Sequence, residues 1–203
     1  RMKKIILSVA AIMAFGFANA QDAKFGIKGG MNLSTLTGDI EDPSSKVGFH
    51  VGGFAEIKLS EKFAVQPELL YSTQGAKEKG EFEYEGNVYD AEIDYKLAYI
   101  NLPIMAKYYI VDKFNVEAGP QIGFLVSAKA EATVLGNSAE EDVKDSFKSV
   151  DFGLNLGAGY DFTDKFSAGV RYNIGLSNMI DGEAADYVKA HNGVFSLSVG
   201  YKF

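Results

Sequence analysis

The chain has 203 residues, no cysteine, no tryptophan and a formal net charge of -7. These features exclude a disulfide scaffold, a thiolate metal centre and an electrostatic partnership with nucleic acid. Mean hydropathy is -0.04 although 47% of the residues are apolar, a balance that suits strands in which apolar and polar positions alternate.

At the start, Lys3 and Lys4 precede an apolar run from Ile5 to Phe17, and Ala18-Asn19-Ala20 has the form of a signal-peptidase site. A cleavable signal peptide is expected over residues 1–20, with residues 21–203 as the mature domain. The apolar run is shorter than the roughly 20 residues that span a bilayer. Losing Arg1, Lys3 and Lys4 takes the formal charge from -7 to -10.

Eight strands follow in chain order, each with an apolar and a polar face. The first, near Lys24 to Ser34, sets Phe25, Ile27, Met31 and Leu33 against Lys28 and Asn32. A polar loop leads to the second, Lys46 to Leu59, where Val47, Phe49, Val51, Ala55, Ile57 and Leu59 oppose Gly48, His50, Gly52 and Glu56. The third, Phe63 to Gln74, sets Val65, Leu69 and Tyr71 against Gln66, Glu68 and Ser72. A charged loop is expected from Gly75 to Asp94. In the fourth strand Ile100, Leu102, Ile104, Ala106 and Tyr108 then oppose Asn101, Met105 and Lys107.

The fifth strand, Phe114 to Lys129, sets Val116, Ile122, Phe124 and Val126 against Glu117, Gln121 and Ser127. An acidic loop, Glu131 to Lys148, is expected next. The sixth, Val150 to Phe162, sets Phe152, Leu154, Leu156, Tyr160 and Phe162 against Asp151, Asn155 and several glycines, and the seventh, Phe166 to Ser177, sets Val170, Tyr172, Ile174 and Leu176 against Arg171 and Asn173. A last loop, Asn178 to Ala190, reaches the eighth strand, Gly193 to Phe203. There Phe195, Leu197, Val199, Tyr201 and Phe203 alternate with Val194, Ser196, Ser198, Gly200 and Lys202.

Three near-copies punctuate this series: Ser60-Glu61-Lys62-Phe63, Val111-Asp112-Lys113-Phe114 and Thr163-Asp164-Lys165-Phe166. Each reads as a tight hairpin turn. Three short turns at one end and four longer loops at the other are the asymmetry of an outer-membrane barrel. The expected fold is all-β: an eight-stranded antiparallel up-and-down transmembrane β-barrel behind a cleavable signal peptide, in the cell outer membrane.

A soluble lipocalin-like barrel has the same strand number but hides its apolar face inside. Here the polar faces carry Lys28, Glu56, Glu68, Lys107, Glu117, Asp151 and Arg171, both signs mixed and interspersed with glycine. Such a set suits a narrow interior, where charges pair because an unpaired buried charge is costly. Phe63, Phe114, Phe166, Tyr201 and Phe203 gather near the short turns, as an interfacial aromatic girdle does, and the terminal aromatic strand reads as an assembly signal.

Pro67, Pro103 and Pro120 fall inside strands, where bulges are expected. Around them, Gln66-Pro67-Glu68-Leu69-Leu70-Tyr71, Tyr99-Ile100-Asn101-Leu102-Pro103-Ile104 and Gly119-Pro120-Gln121-Ile122-Gly123 resemble recurring segments of the PorT-like outer-membrane β-barrel family. These are small barrels similar in shape to the transmembrane part of outer membrane protein A. The resemblance implies the fold and the compartment and carries over no catalytic residue.

His191, near Asp181, Glu183 and Asp186, is expected to be a polar residue at a strand end rather than a catalytic group of the rim, and His50 is expected in an internal hydrogen-bond network. Gly153 to Gly159 lacks the helix of a phosphate-binding loop, and Glu140-Glu141-Asp142 lacks calcium-loop spacing. No cofactor and no metal are expected. The function read from the sequence is a non-enzymatic barrel with a structural or surface-interaction role through four acidic extracellular loops, its interior filled by the polar network. A narrow or gated porin is the alternative, and an outer-membrane enzyme or a soluble carrier stands further off. Expected partners are outer-membrane lipid, the barrel-assembly machinery through the C-terminal strand, and an unidentified surface or envelope protein; the chain is expected to be monomeric.

Overall fold

The computed structural model describes residues 23–39, 43–84, 87–134 and 137–203. The signal-peptide expectation, residues 1–20, lies outside them. Strands β1 (Ala23–Gly38), β2 (Ser44–Lys58), β3 (Phe63–Tyr84), β4 (Asn87–Val111), β5 (Phe114–Val134), β6 (Asn137–Asp142), β7 (Val150–Asp161), β8 (Phe166–Gly175) and β9 (Ala190–Lys202) run antiparallel to their neighbours in one sheet. The order β4-β3-β2-β1-β9-β8-β7-β5 closes on itself through β4–β5 pairing, and β6 extends from β5 outside that ring. First and last strands meet from Gly26↔Lys202 to Gly38↔Ala190. Closure leaves the ring no unpaired edge within the membrane, as a β-structure in lipid requires.

The alternation follows the sequence phase. Ile27, Met31, Val51, Ile104, Leu197 and Val199 point outward and are 52–60% exposed, while Glu56, Glu68, Lys107, Arg171 and Ser198 point inward and are buried. Glycines on the inner face let neighbouring strands approach closely. A Cβ at Gly30 would stand 1.9 Å from the Leu197 carbonyl oxygen, and one at Gly52 2.0 Å from that of Leu69. Alanine at either position requires backbone displacement.

The short turns are built as their repeated sequence suggests. Phe63 N–H donates to Ser60 Oγ at 3.1 Å, and Phe166 N–H donates to Thr163 Oγ1 at 2.9 Å. The hydroxyl residue that opens each of these turns therefore closes it. In the other turn, Val111 pairs directly with Phe114.

Three expectations are corrected. Gly75 to Asp94 is not a loop: β3 and β4 run on past the barrel as a hairpin paired from Gly75↔Lys96 to Tyr84↔Asn87. Glu131 to Lys148 likewise holds the end of β5, the added strand β6 and a 3-10 turn at Lys144–Ser146. Charge masked these strands, because ion pairs replace lipid contact on their outer face. The prolines introduce no bulge. Pairing has one register on both sides of Pro67 and of Pro103, and Pro120 pairs in register with Leu154. A missing N–H costs a ladder bond without inserting a residue. The register instead shifts between Ser45 and His50, at Ala98/Tyr99 and at Tyr109/Val111.

Candidate functional site

Inside the short-turn half of the barrel the charged side chains form one connected network. Arg171 makes paired bonds to Glu68, Nη1 to Oε2 and Nη2 to Oε1, both at 2.9 Å, and donates from Nε to Glu117 Oε1 at 2.9 Å. Lys28 lies 3.3 Å from Glu68, whose side chain is 0% exposed. Gln66 donates to Glu68 at 2.7 Å and accepts from Lys107 at 3.1 Å. Lys107 donates to Glu56 at 2.9 Å, and Lys202 joins Glu56 at 3.0 Å to Asp161 at 3.2 Å. Tyr109 OH stands 3.2 Å from both of those carboxylates.

Each strand of the ring contributes a member: Lys28, Glu56, Glu68, Lys107, Glu117, Asp161, Arg171 and Lys202, from β1, β2, β3, β4, β5, β7, β8 and β9. Four cations meet four anions, so the cluster is neutral. Pairing with additional hydrogen bonds is what allows charge to persist in a desolvated interior. Six of the residues singled out from sequence thus meet here. Asp151 stands apart, accepting from Ser177 Oγ at 2.5 Å and from Asn192 Nδ2 at 2.9 Å. Sequence reasoning missed Asp161, Tyr109 and the role of Lys202; continued two-residue alternation beyond Gly159, Lys107 and Gly200 was the signal for all three.

Above this cluster the lumen is polar, with Asp151 among amide and hydroxyl side chains. His50 Nδ1 lies 2.8 Å from Asn32 Oδ1 and its Nε2 lies 3.1 Å from Ser198 Oγ, while Asn173, Asn155 and Gln121 form a chain with links of 3.1 and 3.2 Å. Two small cavities, of about 40 and 30 Å³, lie within the lumen and share Lys28, Arg171 and Ser198 as walls. Each has room for a few waters, at roughly 10–15 Å³ of such space per molecule. Asn115 Oδ1, a wall residue of the larger cavity, has no protein partner, and a water there would supply its donor.

An apolar cluster forms a cap at the outer mouth. Leu36, Ala76, Leu97, Tyr99, Leu125 and Ala128 face inward, and Phe147 and Met179 from the last two loops pack onto them. Phe147 bridges to Ile180 along the backbone, and Lys148 N–H donates to Met179 O at 2.8 Å. Phe147 also meets the Tyr95 ring edge-on at 6.3 Å. From turns to mouth the buried lining therefore passes from ionic to polar to apolar. His191 is held by Ser177, its Nδ1 lying 2.9 Å from that carbonyl oxygen.

Beyond the cap, β3 to β6 continue as a projecting sheet. Lys77, Asp94, Glu131 and Glu140 share its outer face through the pairs Lys77↔Asp94, Asp94↔Glu131 and Glu131↔Glu140. Ion pairs cross this face: Lys46 with Asp94, Lys77 with Glu92 at 2.6 Å, Lys96 with Glu131 and, at 3.1 Å, with Glu140, and Lys129 with Glu140 at 2.6 Å. Hydrogen bonds from Lys129 and Lys96 hold the Glu140 carboxyl below its ordinary range. The sheet's stabilisation by that carboxylate is therefore present above the ordinary carboxylate pKa and is lost as pH falls through the lowered one. The opposite face carries Ile93, Tyr95, Ala130, Ala132 and Ala139.

At the short-turn end Phe63, Phe114, Phe166 and Phe203 are exposed, at 37–70%. Tyr201 contacts Phe166 at 5.0 Å and Phe203 at 5.7 Å, both edge-on. This gives the outward face an aromatic rim, with apolar side chains above it.

Against known proteins, the family model described as outer membrane protein beta-barrel domain matches residues 19–181. No curated protein matches the sequence. Among solved structures, Neisserial surface protein A (NspA) is similar at a TM-score of 0.56 and 14% identity, over 90% of this chain and 100% of that one. Ail, the attachment invasion locus protein of Yersinia pestis, solved with the heparin analogue sucrose octasulfate, is similar at 0.50 and 15%, over 90% and 100%. At these identities the likeness is one of fold alone.

Proposed function

We propose that this chain, which belongs to the outer membrane protein β-barrel domain family, is a closed, non-enzymatic barrel that holds a projecting sheet at the cell surface for interaction with another molecule. The observation that carries this reading is the seal: an ionic cluster touching every strand of the ring and an apolar cap over the mouth. An eight-stranded barrel has an interior just wide enough for side chains to fill, and the two cavities are too small for a solute larger than water. The PorT-like kinship suggested by the proline segments, the signal peptide over residues 1–20 and a monomeric state belong to the same proposal.

Planar-bilayer recording of the purified protein tests it. The expected result is no stepwise conductance above leak, because no continuous water path passes the Arg171 cluster and the cap. Discrete, sustained channel openings would favour the narrow-porin reading instead.

The C-terminal strand is also proposed to be read by the barrel-assembly machinery through Tyr201 and Phe203. Phe203 N–H donates to Phe25 O at 2.9 Å, so the terminal residue belongs to the closing seam. Deleting Phe203 is expected to reduce the folded, membrane-inserted fraction severalfold in cells. Refolding of the same variant from urea into detergent is expected to be much less affected. Equal losses in both assays would make Phe203 a stability residue rather than an assembly signal.

A further inference from the structure

We infer that the free edge of β6 is a docking site for an extended peptide segment in which basic and apolar residues alternate. This rests on the surface-interaction reading above and names its site and partner class. No strand among the described residues pairs with the far side of β6, and all six of its residues are exposed. Such an edge presents a row of unpaired backbone N–H and C=O groups, the geometry by which sheets accept an added strand.

The two faces of the sheet specify the side chains of that strand. On the outer face β6 presents Ser138, Glu140 and Asp142. Among the described residues Glu140 is the only one of these three in an ion pair, with lysines on the β4 and β5 side. On the inner face β6 presents Asn137, Ala139 and Glu141, and Ala139 continues the apolar row Ile93–Ala132–Ala139. A strand added to this edge places alternate residues beside each row. Lysine or arginine suits the first, and a β-branched or small apolar residue suits the place beside Ala139 on the second. A second copy of this chain is the weaker occupant, since antiparallel β6–β6 pairing sets Glu140 and Asp142 against the same acidic residues, and like charges directly opposite are destabilising.

The test uses the full chain in nanodiscs of zwitterionic lipid and a fluorescein-labelled eight-residue peptide alternating lysine and valine. Fluorescence anisotropy is expected to report saturable binding that disappears when alternate peptide nitrogens are methylated, because methylation removes the donors of strand pairing and keeps the charge. The double variant Glu140→Gln, Asp142→Asn is expected to weaken binding about tenfold by removing the complementary charge. Hydrogen exchange at residues 137–142 is expected to slow when peptide is bound. Equal binding of the methylated peptide, or unchanged exchange in β6, overturns strand addition. A concentration-dependent dimer in sedimentation that protects the same amides overturns the basic partner. Absence of peptide binding by a protein that still shows no conductance refutes the docking site and leaves the closed-barrel reading standing.

Discussion

Replacing Arg171 with methionine is expected to lower the unfolding free energy by about 3–5 kcal/mol, the usual cost of breaking a buried ion pair from one side. Urea titration of the protein folded in lipid vesicles measures it. The guanidinium satisfies both oxygens of Glu68 and one of Glu117. Without it, Lys28 is the only cation among the described residues left in an ion pair with Glu68. Methionine conserves much of the volume, so packing contributes little and the loss reports uncompensated charge. The double variant Arg171→Met, Glu117→Gln is expected to recover much of the deficit, because it removes one charge of each sign and leaves Glu68 paired with Lys28, the penalty lying in an unpaired carboxylate rather than in the absence of the pair itself. A loss below about 1 kcal/mol in the single variant would mean that water reaches the layer and that the lumen is open there.

Val199→Lys is expected to cost about 1–3 kcal/mol in the same measurement, the price of a lysine on the lipid face between the bilayer centre and the aromatic rim at Tyr201. Val199 is 60% exposed and lies on β9 between Leu197 and Tyr201, opposite Gly29 on one side and Ala168 on the other. Val199→Leu, which stays apolar, is expected to fall within about 0.5 kcal/mol of the parent, as exposed substitutions without a special role do. In a soluble barrel the lysine would be neutral or would improve solubility. A Val199→Lys protein as stable as Val199→Leu would therefore refute lipid on that face.

The membrane-spanning half of the fold was legible in the sequence because lipid outside and paired charge inside impose opposite polarities on successive residues. Leu197 and Val199 against Ser198 and Gly200 carry that contrast openly. The projecting half carries the same period in a quieter form. From Ala91 to Lys96 the residues alternate between alanine, isoleucine and tyrosine on one face and glutamate, aspartate and lysine on the other, yet the charge density resembles that of a solvated loop. Once the outer face leaves the bilayer, its partner is an ion pair on the next strand, and that pairing is invisible until the register is known. The cap was illegible for another reason. Phe147 and Met179 are single apolar residues in polar stretches, brought together only when two distant loops fold into the mouth. Of the buried network, the members inside clear strands were readable, whereas Asp161 and Tyr109 lay where each strand runs into its turn and the alternation was not followed far enough.

The continuation of β4 from Asn87 to Leu97 also sets a height. At about 3.4 Å per residue and a tilt near 45°, this run carries Asn87 roughly 25 Å beyond the apolar cap. The sheet is thus a short mast, braced on its outer side by crosswise charges and footed on the cap at Tyr95 and Phe147. In the proposed surface role, anything approaching the cell meets the mast before it meets the membrane, and a segment caught there stands clear of the lipid surface beneath it.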